Sequence, residues 1–173
     1  MSTLLGRSQV RAQQNVAAVT CHRVWDELSR ASFAVIGYVT PAGQPRSSGV
    51  VYTVVGRRMY VVVAADSWKA RHIRTGGQVA VTVPVRRGGI MSLLVPIPPA
   101  TISFHARAGV RVADSLAGSP LAARLGKLIP AERLNSSVVI EIVPQGEFVT
   151  YGVGVPLTRM RHPALARGRA KVT

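Results

Sequence analysis

Residues 33–65 read FAVIGYVTPAGQPRSSGVVYTVVGRRMYVVVAA, and the fold turns on this stretch. Phe33 to Thr40 is a β-branched and aromatic run. It stops at Pro41-Ala42-Gly43-Gln44-Pro45, where Gly supplies an unusual φ and each Pro fixes its own. Arg46 to Val55 reads as the return strand, Gly56-Arg57-Arg58 as the next turn and Met59 to Ala65 as a third strand. Strands joined by connections this short form an antiparallel meander.

Downstream, Ser67 to Thr75 breaks the β pattern. Ser67 suits a helix N-cap, Lys69 to Arg74 can be helical, and Gly76-Gly77 provide a stop. Gln78 to Val85 returns to strand, followed by a Pro- and Gly-rich loop from Arg86 to Ala100. Ile102, Phe104, Ala106, Ala108, Val110 and Val112 then alternate with polar or small residues, the period of a strand with one buried face. Ser119-Pro120 opens a helix running to about Leu128, and Ser137 to Val143 and Glu147 to Tyr151 read as closing strands. Upstream, Val10, Val16, Val19, Val24 and Leu28 share approximately helical spacing, which predicts one amphipathic helix over about 10–30. Six or seven mostly antiparallel strands with short flanking helices predict an α+β, mainly β barrel. The expected organisation is one domain over 1–155 and a basic tail over 156–173.

The chain has 173 residues, 22 Lys and Arg against 7 Asp and Glu, and a formal charge of +15. That balance implies an anionic partner. Four basic residues precede position 31, thirteen lie between 46 and 133, and five lie in the tail. They form no continuous stripe, so nucleic acid is not expected; weak association with acidic membranes is. The tail contains no acid and reads as a solvated arm. Cys21 is the only cysteine, which rules out an intrachain disulfide and suits a reducing, cytoplasmic setting. The N-terminus lacks the apolar stretch of a signal peptide.

Ser67-Trp68-Lys69-Ala70-Arg71 carries most of the functional weight. A helix start has unpaired N–H groups and a partial positive charge, so it already favours an anion. Ser67 adds a hydroxyl, and Lys69 and Arg71 add full charges; Arg can grip a phosphate through two parallel hydrogen bonds. Arg46-Ser47-Ser48-Gly49 is the second element, hydroxyls followed by a residue that lets a ligand approach the backbone. Each string alone is also the ordinary makeup of a capped surface helix or a polar strand start. His22, His72, His105 and His162 are scattered and with Cys21 show no metal-ligand spacing. No Gly-x-Ser-x-Gly elbow is present, so hydrolase chemistry has no support. Ile90 to Pro96 is an apolar loop suited to a lid or a pocket wall.

The order of these elements resembles the pyridoxamine 5′-phosphate oxidase-like family, the flavin- and deazaflavin-binding split β-barrels. FAVIGYVTPAGQPRSSGVVYTV (33–54) and SWKARHIRTGGQVAV (67–81) carry the resemblance, with ISFHARAGVRVAD (102–114) and VVIEIVPQGEFVTYG (138–152) following more loosely. The resemblance implies a homodimer binding FMN or coenzyme F-420 and acting on a small redox substrate. Ser67, Lys69, Arg71 and Arg46 would hold the cofactor phosphate. Ser47, Ser48 and Val50 would line the ring system, and Trp68 could cover it. No side chain is nominated as a catalytic acid or base. A true pyridoxamine phosphate oxidase carries a late Arg/His motif that Arg159-Met160-Arg161-His162 only echoes, which argues against pyridoxine phosphates as substrates. The alternative is a non-enzymatic module on the same fold that holds a fatty acid, haem or another apolar or anionic ligand.

Overall fold

The computed structural model describes residues 19–86, 99–112, 120–126, 133 and 136–173. Helix α1 (Cys21–Arg30) leads into strands β1 (Phe33–Val39), β2 (Pro45–Val55) and β3 (Arg58–Ala64). Helix α2 (Trp68–Gly76), strands β4 (Gln78–Val85) and β5 (Ala100–Val112), helix α3 (Pro120–Leu125) and strand β6 (Ser137–Tyr151) follow. A 3₁₀ turn (Leu157–Arg161), helix α4 (Pro163–Ala166) and strand β7 (Arg167–Lys171) complete the described chain.

The sheet order is β3-β2-β1-β4-β5-β6-β7, and a further pairing of β3 with β6 closes the first six strands into an antiparallel barrel. The expected mainly β barrel is therefore what forms. Gly56 and Arg57 both take positive φ (56° and 58°), the two-residue turn that matches strand twist and sets the β2–β3 register. Met59, Val61, Val81, Val83, Ile102, Ile140 and Phe148 fill the interior. Trp25 of α1 meets Phe148 edge-on, and Phe104 packs on the same ring.

The opening lies between β2 and β3. These strands pair only from Tyr52↔Val61 to Val55↔Arg58, whereas β2 stays paired with β1 from residue 45 to residue 51. The first half of β2 and the last residues of β3 therefore diverge. β3 meanwhile holds to β6 as far as Ala64↔Ser137.

Four expectations are corrected. The helix predicted over 10–30 does not run through residue 20. Thr20 has an extended backbone (φ −81°, ψ 150°) and caps α1 by accepting from the Arg23 N–H, so helix begins at Cys21; residues 10–18 lie outside the described set. The two closing strands are one, because Gly146 at φ +70° carries β6 through Pro144-Gln145 while a register shift between Ser103 and His105 absorbs the irregularity. The basic tail is not a solvated arm: Arg167 to Lys171 form β7, antiparallel to the second half of β6. Arg167, Arg169 and Lys171 face water while Gly168 and Ala170 face in. A Cβ on Gly168 would sit 2.7 Å from Thr150 Oγ1 and 2.9 Å from Val19 Cγ2, so the close approach needs glycine. At the end of β5, Val112 is exposed instead of buried, since the strand runs on past the core. The apolar segment 90–98, Ser119 and residues 127–128 lie outside the described residues.

Tyr52 ties α1 to the barrel. Its buried hydroxyl donates to the Leu28 carbonyl at 2.7 Å, satisfying one of the acceptors that a helix end leaves open. Burial pushes this phenol well above the ordinary tyrosine range. Tyr52→Phe is expected to cost about 1–2 kcal/mol, because the carbonyl remains buried without a donor. The check is a lower urea midpoint with an unchanged m-value.

Candidate functional site

Strand β3 ends at Ala64, and the chain turns at once. The Ser67 N–H donates to Ala64 O at 3.0 Å, and Ala65 N–H to Ser136 O at 2.9 Å. Ser67 then stays extended (φ −65°, ψ 147°) and caps α2, its Oγ accepting from Ala70 N–H at 3.3 Å. Arg71 N–H returns to Ser67 O at 3.1 Å. Of the first-turn amides, those of Trp68 and Lys69 are left with no partner among the described residues. The end of β3 thus presents two free N–H donors, a hydroxyl and the Lys69 ammonium together.

Two hollows meet there. The smaller, about 410 Å³, is the divergence between β2 and β3: Gly49, Val50 and Val51 on one side, Val62, Val63 and Ala64 on the other, with Ser67 and Lys69 at its mouth. It is an apolar slot edged by β2 backbone. The larger, about 810 Å³, shares Ser67 and Lys69 and runs over Arg46, Ser47 and Ser48 to the β1–β2 turn. Tyr38, Thr40, Gln44, Trp68 and His72 complete its polar and aromatic wall. The register pairs Tyr38 with Arg46 and Ile36 with Ser48, so Arg46 and Ser48 lie on the barrel's inward face at its open end.

The structure brings together Arg46, Ser47, Ser48, Ser67, Trp68 and Lys69 around one hollow and puts Val50 in the adjoining slot. Arg71 it sets apart. Its Nε and Nη2 donate to Asp66 O at 3.1 and 2.9 Å, and its guanidinium lies 4.8 Å from the Trp68 ring centre. It lines neither hollow and instead braces the turn and the indole.

Sequence reasoning passed over Tyr38 and His72. The His72 ring sits 5.7 Å from Tyr38 and 5.4 Å from Trp68, and its Nδ1 is buried with no hydrogen-bond partner. Helical spacing held a signal, since Trp68 and His72 stand at i and i+4 on α2. The other histidines lie elsewhere: His22 is 3.7 Å from Asp26, and His105 is exposed on β5 against Gly146. Among the described residues, no group of three His, Cys, Asp or Glu could hold a metal ion. Nor is any helix among them long and apolar enough to cross a membrane.

No protein-family model and no curated protein matches the sequence. Solved structures do match in fold. A protein described as an F420 reductase superposes with a TM-score of 0.54 at 17% identity, covering 71% of this chain and 93% of that one. A putative pyridoxamine 5′-phosphate oxidase from Listeria innocua gives 0.55 at 19% identity, over 72% and 92% of the two chains. HutZ, a haem storage protein from Vibrio cholerae, gives 0.57 at 14% identity, over 76% and 94%. With its six-stranded closure, its opening between β2 and β3 and its helix start at that opening, this chain has the fold of the pyridoxamine 5′-phosphate oxidase-like split barrels.

Proposed function

We propose that the chain is a flavin- or deazaflavin-dependent oxidoreductase, binding FMN or coenzyme F-420 and reducing or oxidising a small molecule. The observation that carries this reading is the convergence at the end of β3. The free Trp68 and Lys69 amides, the Ser67 hydroxyl and the Lys69 ammonium lie where an apolar slot meets a polar hollow, and Arg46 lines that same hollow. Such a donor set fits a phosphate, whose charge is favoured at a helix start and by nearby cations. The slot fits a flat ring system, with Val50 and Val62 as apolar walls and the backbone edge of β2 offering donors and acceptors. When bound, the cofactor would supply hydride transfer. The chain's own part is to hold the phosphate, orient the ring and keep water off the reacting face.

A homodimer belongs to this reading. Phe33, Val39 and Val51 stand exposed on the barrel's outer wall, with Phe33 directly across from Val51, and a second copy would cover both this wall and the open side of the slot. The cytoplasm, where such cofactors work, is the proposed setting. The test is titration of purified chain with each cofactor, followed by absorbance or fluorescence. Saturable binding below tens of micromolar is expected; no binding of either cofactor overturns the redox reading. A haem or fatty acyl species found by native mass spectrometry, in protein purified without added ligand, would instead favour a binding module.

A further inference from the structure

We infer that the chain has a second binding site, in the cleft between the end of α1 and the end of β4, for a small flat molecule bearing an acidic group such as a carboxylate. We further infer that this molecule is the substrate. The site follows from its own geometry; its role as substrate site rests on the cofactor reading above and deepens it.

Two hollows adjoin in that cleft and share Glu27, Val85 and Arg86. One, about 690 Å³, runs from Arg30 past Phe33 to Pro99; the other, about 360 Å³, runs from Arg23 to the loop over 153–156. Each lies within the range of a small-molecule site, roughly 300–1,000 Å³. Their charge is one-sided. Arg23, Arg30 and Arg86 accompany a single carboxylate, Glu27, which Arg30 already engages at 3.8 Å. The Arg23 and Arg86 guanidinia have no hydrogen-bond or ion-pair partner among the described residues. Arg23 is nonetheless held in place: a Cβ on Gly154, at φ +71°, would lie 3.0 Å from its Cζ, so the guanidinium rests against the backbone there. The end of α1 by itself would repel an anion. Its carbonyls at Glu27 and Leu28, however, are taken by the Ala31 N–H and the Tyr52 hydroxyl.

The cleft also has a ring, and that ring borders the slot. Phe33 walls the larger of the two hollows, and the tip of its side chain covers Gly49, which lines the slot between β2 and β3. A Cβ on Gly49 would sit 2.9 Å from Phe33 Cε2 and Cζ, so glycine is what lets the ring lie there. Half-exposed, the phenyl group offers a ligand a flat apolar surface. Guanidinium groups grip a planar acid through two parallel hydrogen bonds, which favours a carboxylate at the arginine end. A molecule laid between Phe33 and these arginines is then one side chain away from a ring system in the slot.

The test uses the full chain without cofactor and two probes of one shape, 2-naphthoate and 2-naphthamide, titrated by calorimetry at low ionic strength. Naphthoate should bind at least about tenfold tighter, the scale of one charge-assisted hydrogen bond. Arg86→Ala should bring the two probes within about threefold of each other. Phe33→Ala should weaken both alike, by about three- to tenfold, the scale of a lost ring contact. Both residues are exposed, and an unchanged urea midpoint checks that the variants fold. Equal binding of the two probes, a gap that Arg86→Ala leaves intact, or a Phe33→Ala variant that binds both as wild type does overturns the site. A gap closed by Lys69→Ala instead puts the probe at the end of β3 and overturns it as well. For the substrate role, naphthoate added to chain loaded with whichever cofactor binds should shift the cofactor's absorbance, because the two lie on either side of Phe33. No shift overturns that role and leaves the site and the cofactor reading standing. If neither cofactor binds, the redox reading and the substrate role fall together, and the probes still decide the site.

Discussion

Removing both arginine partners of Glu141 is expected to make this fold's stability deficit depend on pH, vanishing as the solution becomes acidic. Glu141 sits on the closing seam of the barrel, across from Tyr60 of β3 and Gly109 of β5. It is buried on the face of the sheet where its cross-strand partner Tyr60 and its strand neighbour Val139 pack with Leu121 and Leu125 of α3. Its Oε1 accepts from Arg58 at 2.6 Å and from the Tyr60 hydroxyl at 3.3 Å, and its Oε2 from Arg111 at 2.6 Å. Burial acting alone would raise this carboxyl, and it is the largest single influence; the bonds from Arg58 and Arg111 together outweigh it and hold the group below its ordinary 4.5. A carboxyl lowered by folding adds stability that is present above the unfolded value and is lost as pH falls through the folded one. In Arg58→Met/Arg111→Met burial is opposed only by the long Tyr60 hydrogen bond, and the sign changes. The folded value rises, and the penalty is full at neutral pH and relieved on acidification. A stranded Glu141 carboxylate costs about 3 kcal/mol at pH 7. Glu141→Leu should cost less, since both arginine side chains are about half exposed and can turn to water, leaving only the Tyr60 hydroxyl without its acceptor. Urea midpoints of wild type and both variants at pH 7 and pH 4 check this. A deficit equal at both pH values, or a leucine variant worse than the double arginine variant, refutes the account.

That seam shows where the sequence was legible and where it was not. The meander over 33–65 could be read because apolar run, turn chemistry and apolar run agree at every step. The capped helix after it could be read because Ser67 and the Gly76-Gly77 pair mark its ends. Closure could not. Which strand meets β3 depends on β6 running 15 residues, giving its first half to β3 and its second to β7 on the same edge. The dip at Pro144-Gln145-Gly146 looked like a break, because a residue with positive φ inside a strand has the same signature as a turn. Likewise Arg-Gly-Arg-Ala-Lys alternates with a strand's period, but its inward residues are a glycine and an alanine, too small to register as a hydrophobic face.

The site was legible in the same uneven way. Local chemistry picked out residues whose types bind anions: Arg46, Ser47, Ser48, Ser67 and Lys69 do share one hollow. Type alone cannot say where a long side chain points. Arg71 has the right charge two positions beyond Lys69, yet it folds back on the Asp66 carbonyl and the Trp68 ring. His72 looked ordinary because a lone histidine shows no metal-ligand spacing; its offset of four from Trp68 was the local signal, and its contact with Tyr38 is set by β1, which is remote in sequence. Pairing across the barrel, and not local pattern, turns these side chains into one surface.

Lys69→Ala is expected to weaken cofactor binding by about 10- to 100-fold, the largest single effect at the site. A hydrogen bond to a charged group is worth about 1.5–3 kcal/mol, and each 1.4 kcal/mol is tenfold in affinity. Lys69 is half-buried at the junction of both hollows, with no ion-pair partner among the described residues, so its ammonium is committed to no other role. The contrast with its neighbours makes the test specific. Arg71→Ala should change affinity by no more than about threefold, because two of its donors are held by Asp66 O, it lines neither hollow, and a surface charge near a site is strongly screened by salt. Ser67→Ala should act on two readouts together. It removes a donor to the phosphate, and it also uncaps α2, costing about 1 kcal/mol of stability. Lys69→Ala should leave the unfolding midpoint unchanged, which separates loss of a contact from loss of the helix start. If Lys69→Ala binds as tightly as wild type while Arg71→Ala does not, the phosphate lies on the outer side of α2. The slot between β2 and β3 is then not where the ring goes.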